Sequence, residues 1–266
     1  QDTLHQLLDT IRRFVRNRLM PLEEQVASTD QIPESVISEM RELGLFGLTI
    51  PEEYGGLGLN TEEECKVAIE LGYTSAAFRS VIGTNNGIGS QGLVMDGTDD
   101  QKENYLPRLA SGEIIGSFAL TEPNVGSDSA NVQTKAEKDG DSYILNGTKR
   151  WITNANIANL FTVFARTDQS QKGSSGVSAF LVDANTPGIS LSSKYKKMGQ
   201  QGAHVCDVIF DNCRVPEVNI IGGPNNVNNG FKTAMKTLDR GRIHISAFAV
   251  GCAKRLIEIS TQFSLE

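Results

Sequence analysis

The chain has 266 residues, 39% of them hydrophobic and 21% charged, which is a globular composition long enough for two domains or one large one. Its 25 basic residues against 32 acidic ones leave a formal net charge of -7, which argues against nucleic acid as the main partner because phosphate contacts need a basic face. No apolar run approaches the length of a membrane span, and Cys65, Cys206, Cys213 and Cys252 lack disulfide or metal spacing, which suits buried thiols in a reducing compartment.

Leu4, Leu7, Leu8, Ile11, Phe14 and Val15 recur at three- and four-residue spacing, so the chain opens with an amphipathic helix ending around Pro21. A second helix comes after Pro33, with Val36, Ile37, Met40 and Leu43 inward and Gly44 as its stop. The stretch from Pro51 to Gly58 is a loop. Thr61 with Glu64, and Thr98 with Gln101, have capping-box spacing and open two further helices, the latter ending near Gly112. Glu52, Glu53 and the run Glu62 to Glu64 read as exposed charge. Gly87, Gly89 and Gly92 match G-x-G-x-x-G, but helical surroundings with no strand before them point to close helix approach rather than a dinucleotide turn.

Beyond Gly116 the period shortens to two. Val132, Thr134 and Ala136 alternate before an Asp139-Gly140 turn, and Tyr143 to Leu145 leads into a hairpin at Asn146-Gly147. Leu160 to Ala165, Val177 to Val182 and Val208 to Phe210 read as strands, Thr186-Pro187-Gly188 as a turn, and Val215-Pro216 as the end of the sheet. From Gly230 the helical period returns through Ala234, Leu238, Ile245, Ala249, Ala253, Leu256 and Ile257. No later segment up to Glu266 offers this last helix a partner for its apolar face, so further chain or another subunit is expected to cover it. His5 and His244 read as ordinary helix residues, and His204 near Cys206 and Cys213 fits no zinc pattern.

Two segments carry chemistry. The run Ala119 to Ser129, ALTEPNVGSDS, ends in a turn whose Gly126 tolerates positive φ, so that successive backbone N–H groups form a small anion-binding nest. Trp151, the single tryptophan, lies in Trp-Ile-Thr-Asn with Thr153 two positions on and therefore on the same strand face. A ring of that size on a strand is usually core, yet beside a hydroxyl it equally suits the flank of a flat heterocycle.

These two segments, with Ile50-Pro51-Glu52-Glu53-Tyr54-Gly55-Gly56, with Val215-Pro216 followed by Asn219 and Gly222, and with Leu238-Asp239-Arg240-Gly241-Arg242, resemble the acyl-CoA dehydrogenase family in order and spacing across essentially the whole chain. The resemblance implies an α+β fold: a helical N-terminal domain over 1–115, a middle antiparallel β domain over 116–227, and the start of a C-terminal helical bundle over 228–266. It implies FAD as cofactor. Phe118, Leu120 and Thr121 would lie along the isoalloxazine, Gly126 and Ser127 would hold the pyrophosphate, and Trp151, Ile152 and Thr153 would cover the other side. Ser127, Asp239, Arg240, Gly241 and Arg242 match the family's positions for the pantetheine and nucleotide of CoA, where an arginine fork suits a phosphate.

The reaction so implied is α,β-dehydrogenation of an acyl-CoA thioester to 2-enoyl-CoA, passing electrons on to electron-transfer flavoprotein. It needs a carboxylate base in an apolar slot. The family's usual glutamate falls beyond Glu266, and its alternative position is Gly241, so no catalytic carboxylate is expected here and these residues alone should not turn over. Glu122 reads as a carboxylate that organises backbone, and Glu258 as a solvated residue. The resemblance also leaves room for an acyl-CoA oxidase or flavin monooxygenase, or for a non-catalytic acyl-CoA-binding relative. It further implies a homotetramer or homodimer in bacterial cytoplasm or mitochondrial matrix, with no membrane span and no nucleic acid.

Overall fold

The computed structural model describes residues 2–266. The opening helix α1 (Asp2–Phe14) gives way to a π turn at Val15–Leu19 and a 3-10 turn at Met20–Leu22, where Pro21 withholds an N–H. Next come α2 (Glu23–Thr29), α3 (Glu34–Glu42), α4 (Thr61–Leu71), α5 (Ala76–Thr84), α6 (Gln91–Asp96) and α7 (Asp99–Ser111). Thr98 and Gln101 form the expected capping box of α7, and Gly112 closes it at φ +72°.

The box that opens α4 sits one residue earlier than the sequence suggests. Asn60 caps Glu62 and Glu63, and the Glu63 carboxylate returns to Asn60 N–H. That shift turns Glu64 inward, where it is 2% exposed, so it is not the surface charge expected of it.

Seven strands form one mixed sheet: β1 (Gly116–Ala119), β2 (Lys135–Asp139), β3 (Ser142–Thr153), β4 (Leu160–Arg166), β5 (Val177–Asp183), β6 (Ile189–Leu191) and β7 (Val205–Pro216). Pairing is antiparallel for β2–β3, β3–β7, β4–β5 and β6–β7, while β1 joins β4 in parallel. β1 enters directly from the helices rather than from a hairpin, so nothing forces it to reverse against its neighbour.

Asn146-Gly147 is not the expected hairpin. It lies inside the twelve-residue β3, at a register shift against β7, and a Cβ on Gly147 would come within 2.5 Å of the Thr134 hydroxyl. Close backbone approach, not turn geometry, requires this glycine.

β4 is buried along its whole length, and β5 along all but its last residue. On one face Phe161, Val163, Phe180 and Val182 join Leu145, Val208 and Val215; on the other Leu160, Phe164 and Leu181 join Leu106, Leu109 and Ala234. Arg166, at the end of β4, donates to the carbonyls of Ala130, Val132, Gln171, Gly173 and Ser175, which fixes the segment after the ALTEPNVGSDS turn.

The last helix, α8 (Gly230–Leu265), starts hard against β5, where a Cβ on Gly230 would stand 2.2 Å from Ala179 N. It then crosses α4, burying Ala247, Phe248 and Gly251, while Ile243, Ile245, Val250, Leu256, Ile257, Ile259, Phe263 and Leu265 are exposed. No helix among the described residues is long and apolar enough to cross a membrane.

Asp30, after α2, ties the helices to the segment between β6 and β7. Its carboxylate accepts from Lys194 Nζ at 2.8 Å and from Gly202 N–H at 2.7 Å. Those bonds, Lys194 first, lower its pKa to about 2 from an ordinary value of about 3.9. A depressed carboxyl pKa contributes stability that is present above the ordinary value and is lost as pH falls through the folded one. Asp30→Asn should therefore cost on the order of 1 kcal/mol at pH 7, after discounting for partial exposure, and nothing near pH 2. Urea unfolding at the two pH values measures the difference, and an equal loss at both would contradict it.

Candidate flavin and acyl site

The turn at Glu122 to Ser127 hangs on a buried ion pair. Lys149 Nζ, from β3, donates to Glu122 Oε1 at 2.7 Å and to Leu120 O at 3.1 Å, and the same carboxylate accepts from Gln133 N–H and Thr134 N–H. Burial opposes ionisation of Glu122, but Lys149 and the N–H donors outweigh it and hold the carboxyl below its usual range. Burial pulls Lys149 down to about 8, so the pair stays charged near neutrality. Glu122 is thus a backbone-organising carboxylate.

Glu122 and Val125 exchange N–H···O bonds at 3.0 and 3.1 Å. Among the described residues, the next two N–H groups, of Gly126 and Ser127, have no protein acceptor. Gly126 does not take the positive φ expected of a nest, because the two-way bond already closes the turn and the chain continues open. Its value is empty space: a Cβ there would meet nothing within 4 Å.

Opposite this turn, β3 bulges against β7 between Lys149 and Ile152. The bulge places Trp151 at φ +57°, unusual for a bulky residue, and leaves its ring 58% exposed, so it is not a core ring. Asp207 holds this geometry by accepting from Trp151 N–H, from Arg150 and from the Tyr195 hydroxyl. An extra residue in one strand re-aims a side chain out of the sheet's alternation, which is what happens to Trp151.

Between turn and bulge lies a cavity of about 430 Å³ lined by Phe118, Leu120, Thr121, Gly126, Ser127, Trp151, Ile152 and Thr153, together with Thr84, Ile88, Ser129, Leu238 and Arg242. All eight residues expected to hold the cofactor therefore border one space. It matches what a flat aromatic cofactor with a pyrophosphate tail requires: apolar walls, an exposed ring, hydroxyls, and two unbonded N–H groups at one end.

A second cavity of about 400 Å³ shares Thr84, Ile88, Thr153, Leu238 and Arg242 with the first and is otherwise lined by Arg79, Ser80, Gly83, Gly87, Gln200, Gly241, His244 and Ile245. No carboxylate lines either cavity among the described residues.

The residues matched to CoA part company. Ser127 and Arg242 border the first cavity, Arg242 and Gly241 the second, while exposed Asp239 accepts from Arg242 at the rim. Arg240 lines neither, because its position on α8 faces α4 and its Nε donates to Glu64 Oε2 at 3.1 Å.

The sequence offers the stretch Ser80 to Met95 only as a pocket wall, without singling out the residues that border the cavities. Thr84 and Ile88 lie where α5 runs into a π turn (Asn85–Gly89), beside the glycine triplet. Asn85 anchors that turn by donating to Phe46 O and Leu109 O and accepting from Gly116 N–H. A Cβ on Gly89 would lie 2.9 Å from Gly116 C of β1, and one on Gly92 3.1 Å from Thr233 Cγ2 of α8, so these two serve close packing, whereas one on Gly87 would meet nothing within 4 Å. His244 is not an ordinary helix residue. It is buried, with Nε2 accepting from Arg79 Nε at 3.1 Å and Nδ1 donating to Glu64 Oε1 at 2.9 Å. Since an arginine Nε only donates, this tautomer is the one the geometry allows. Burial disfavours ionised Glu64, but His244 and Arg240 outweigh it and hold its pKa below the usual value. Glu258 accepts from the Tyr73 hydroxyl at 2.8 Å, on a surface remote from the cavities.

Residues 1–113 match the model of the acyl-CoA dehydrogenase N-terminal domain, and residues 117–213 that of the middle domain. A probable acyl-CoA dehydrogenase of Bacillus subtilis, YngJ, is 38% identical over 97% of this chain and 67% of its own length. The solved butyryl-CoA dehydrogenase of Megasphaera elsdenii is 32% identical, with a TM-score of 0.93 over 99% of this chain and 69% of its own. An acyl-CoA dehydrogenase from Bacillus anthracis, solved in complex with FAD, is 34% identical with a TM-score of 0.88, over 98% of this chain and 44% of its own. The chain spans about two thirds of the length of the curated relatives it matches. With two family domains matched end to end and the signature residues gathered on one cavity, the chain belongs to the acyl-CoA dehydrogenase family.

Proposed function

We propose that the protein holds FAD in the first cavity and dehydrogenates an acyl-CoA thioester at its α,β bond, giving 2-enoyl-CoA. The observation that carries this reading is that Thr121 and the outward-turned Trp151 border the same cavity as Thr153 and the unbonded N–H groups of Gly126 and Ser127. Phe118, Leu120 and Thr121 would line one side of the flavin and Trp151, Ile152 and Thr153 the other. When bound, FAD supplies an acceptor for the β hydrogen as hydride.

The chain's own residues orient and enclose. Ser127, Gly241 and Arg242 would position the CoA thioester, with the Arg242 guanidinium free to meet a phosphate once it leaves Asp239. The base that takes the α proton is not among these residues, since no carboxylate lines either cavity. Electron-transfer flavoprotein is the proposed electron acceptor.

The test uses full-length protein. Titrated FAD should quench the Trp151 emission, which is assigned by its loss in Trp151→Phe, and anaerobic acyl-CoA should bleach the flavin absorbance. Slow reoxidation in air supports a dehydrogenase, while fast reoxidation moves the reading to an oxidase on the same scaffold. A colourless protein whose tryptophan ignores FAD overturns the proposal.

A further inference from the structure

Resting on the flavin and acyl-thioester reading above, we propose that Asn154 and Ser117 are positioning residues, which hold Thr153 at the junction of the two cavities and so set the separation of flavin and acyl group. Thr153 ends β3 and, among the described residues, is the one member of the sheet that borders both cavities. Asn154 and Ser117 line neither, so they act on it from behind.

The backbone on both sides of the Thr153 side chain is tethered. Its carbonyl accepts from the Ser117 hydroxyl of β1 at 2.6 Å, and Ser117 is buried. The next residue, Asn154, turns the chain at φ +61°, a left-handed conformation that asparagine tolerates better than most side chains. Its N–H donates to His204 O at 2.8 Å, and its carbonyl accepts from the N–H groups of Ile157 and Ala158, so the direction in which the chain leaves β3 is fixed.

The Asn154 amide reaches further. Its Nδ2 donates to Ser80 O of α5 at 2.9 Å, and among the described residues no other hydrogen bond links α5 to the sheet or to its connections. α5 carries Arg79, Ser80, Gly83 and Thr84 along the second cavity. One bond therefore ties the wall of that cavity to the residue beside the first. Asn154 is 2% exposed, so water cannot stand in for a lost partner. Transfer between two bound groups depends steeply on their separation, about 1 Å costing on the order of 100-fold, whereas affinity is spread over all the residues of a cavity. Freeing Thr153 should slow the chemistry far more than it weakens binding.

The test uses full-length, flavin-loaded protein and Asn154→Gly, which keeps the left-handed turn and removes the amide. Anaerobic bleaching by saturating acyl-CoA should slow about 10- to 100-fold, while affinities for FAD and for S-pentyl-CoA, a thioether that is not oxidised, change by less than about threefold. The absorbance change that S-pentyl-CoA imposes on bound flavin should shrink. Ser117→Ala, a smaller change at a buried site, should slow bleaching by a few-fold. In a Thr153→Ala background neither substitution should slow it further, because both act through that side chain. Bleaching at the wild-type rate in both folded single variants, with or without a lower Tm, overturns this inference and leaves the dehydrogenase reading standing. Slowing that persists undiminished in the Thr153→Ala background does the same. Wild-type protein that acyl-CoA does not bleach overturns the dehydrogenase reading and this inference with it.

Discussion

Glu122→Gln should lower stability by about 3 kcal/mol, a loss of roughly 6–12 °C in Tm, because it leaves the Lys149 ammonium buried without its counter-charge. The two side chains are 3% and 0% exposed, so water cannot replace the lost partner. The same carboxylate carries Gln133 N–H and Thr134 N–H, and the neutral amide answers them less well. Flavin should be released more readily, since Lys149 also supports Leu120 O at the cavity edge.

The rate at which bound flavin is bleached by acyl-CoA should nevertheless stay within a few-fold of wild type, because Glu122 lines neither cavity. The double variant Glu122→Gln with Lys149→Met should recover part of the stability by removing the orphaned charge. Thermal unfolding and stopped-flow bleaching, measured on the same preparations, separate the two effects. Unchanged Tm with a bleaching rate down by orders of magnitude would instead make Glu122 a chemical participant.

Gly251→Val is expected to be comparably damaging, at about 3 kcal/mol or more, through overpacking rather than charge. Gly251 of α8 and Gly72 after α4 meet at the tightest part of the crossing. A Cβ on Gly251 would stand 2.1 Å from Ile69 O and 2.9 Å from Gly72 Cα, and one on Gly72 2.4 Å from Phe248 O. These neighbours are backbone and cannot swing aside, so α8 must lift. That motion would also loosen the bonds of His244 and Arg240 to Glu64, which lie two to three turns earlier on α8. Calorimetric unfolding should therefore show a lower Tm. A variant that keeps its Tm would show that the crossing yields more easily than its geometry implies.

The order of helices, sheet and final helix was legible because each element carries its own period: Val36, Ile37 and Met40 mark α3, the apolar runs mark β4 and β5, and Thr98 with Gln101 marks the start of α7. The residues of the first cavity were legible through the family resemblance, which two short segments carry. Errors arose where the deciding neighbour is remote in sequence. Gly147 reads as a turn until Thr134 is seen against it, and His244 reads as an ordinary helix residue and Arg240 as a CoA contact until Glu64 is found facing them from α4.

Local spacing, then, sufficed for the longer helices and the buried strands, since periodicity, caps and turns act within a few positions along the chain, and the family resemblance pointed to the eight residues that border the first cavity. Tertiary packing alone decided the rest: the bulge that turns Trp151 outward, the burial of the Glu122–Lys149 pair, the parallel entry of β1, and the bond that joins Arg79 of α5 to His244 of α8. Each depends on which distant backbone or charge arrives beside it, and burial sets the energetic weight of that encounter.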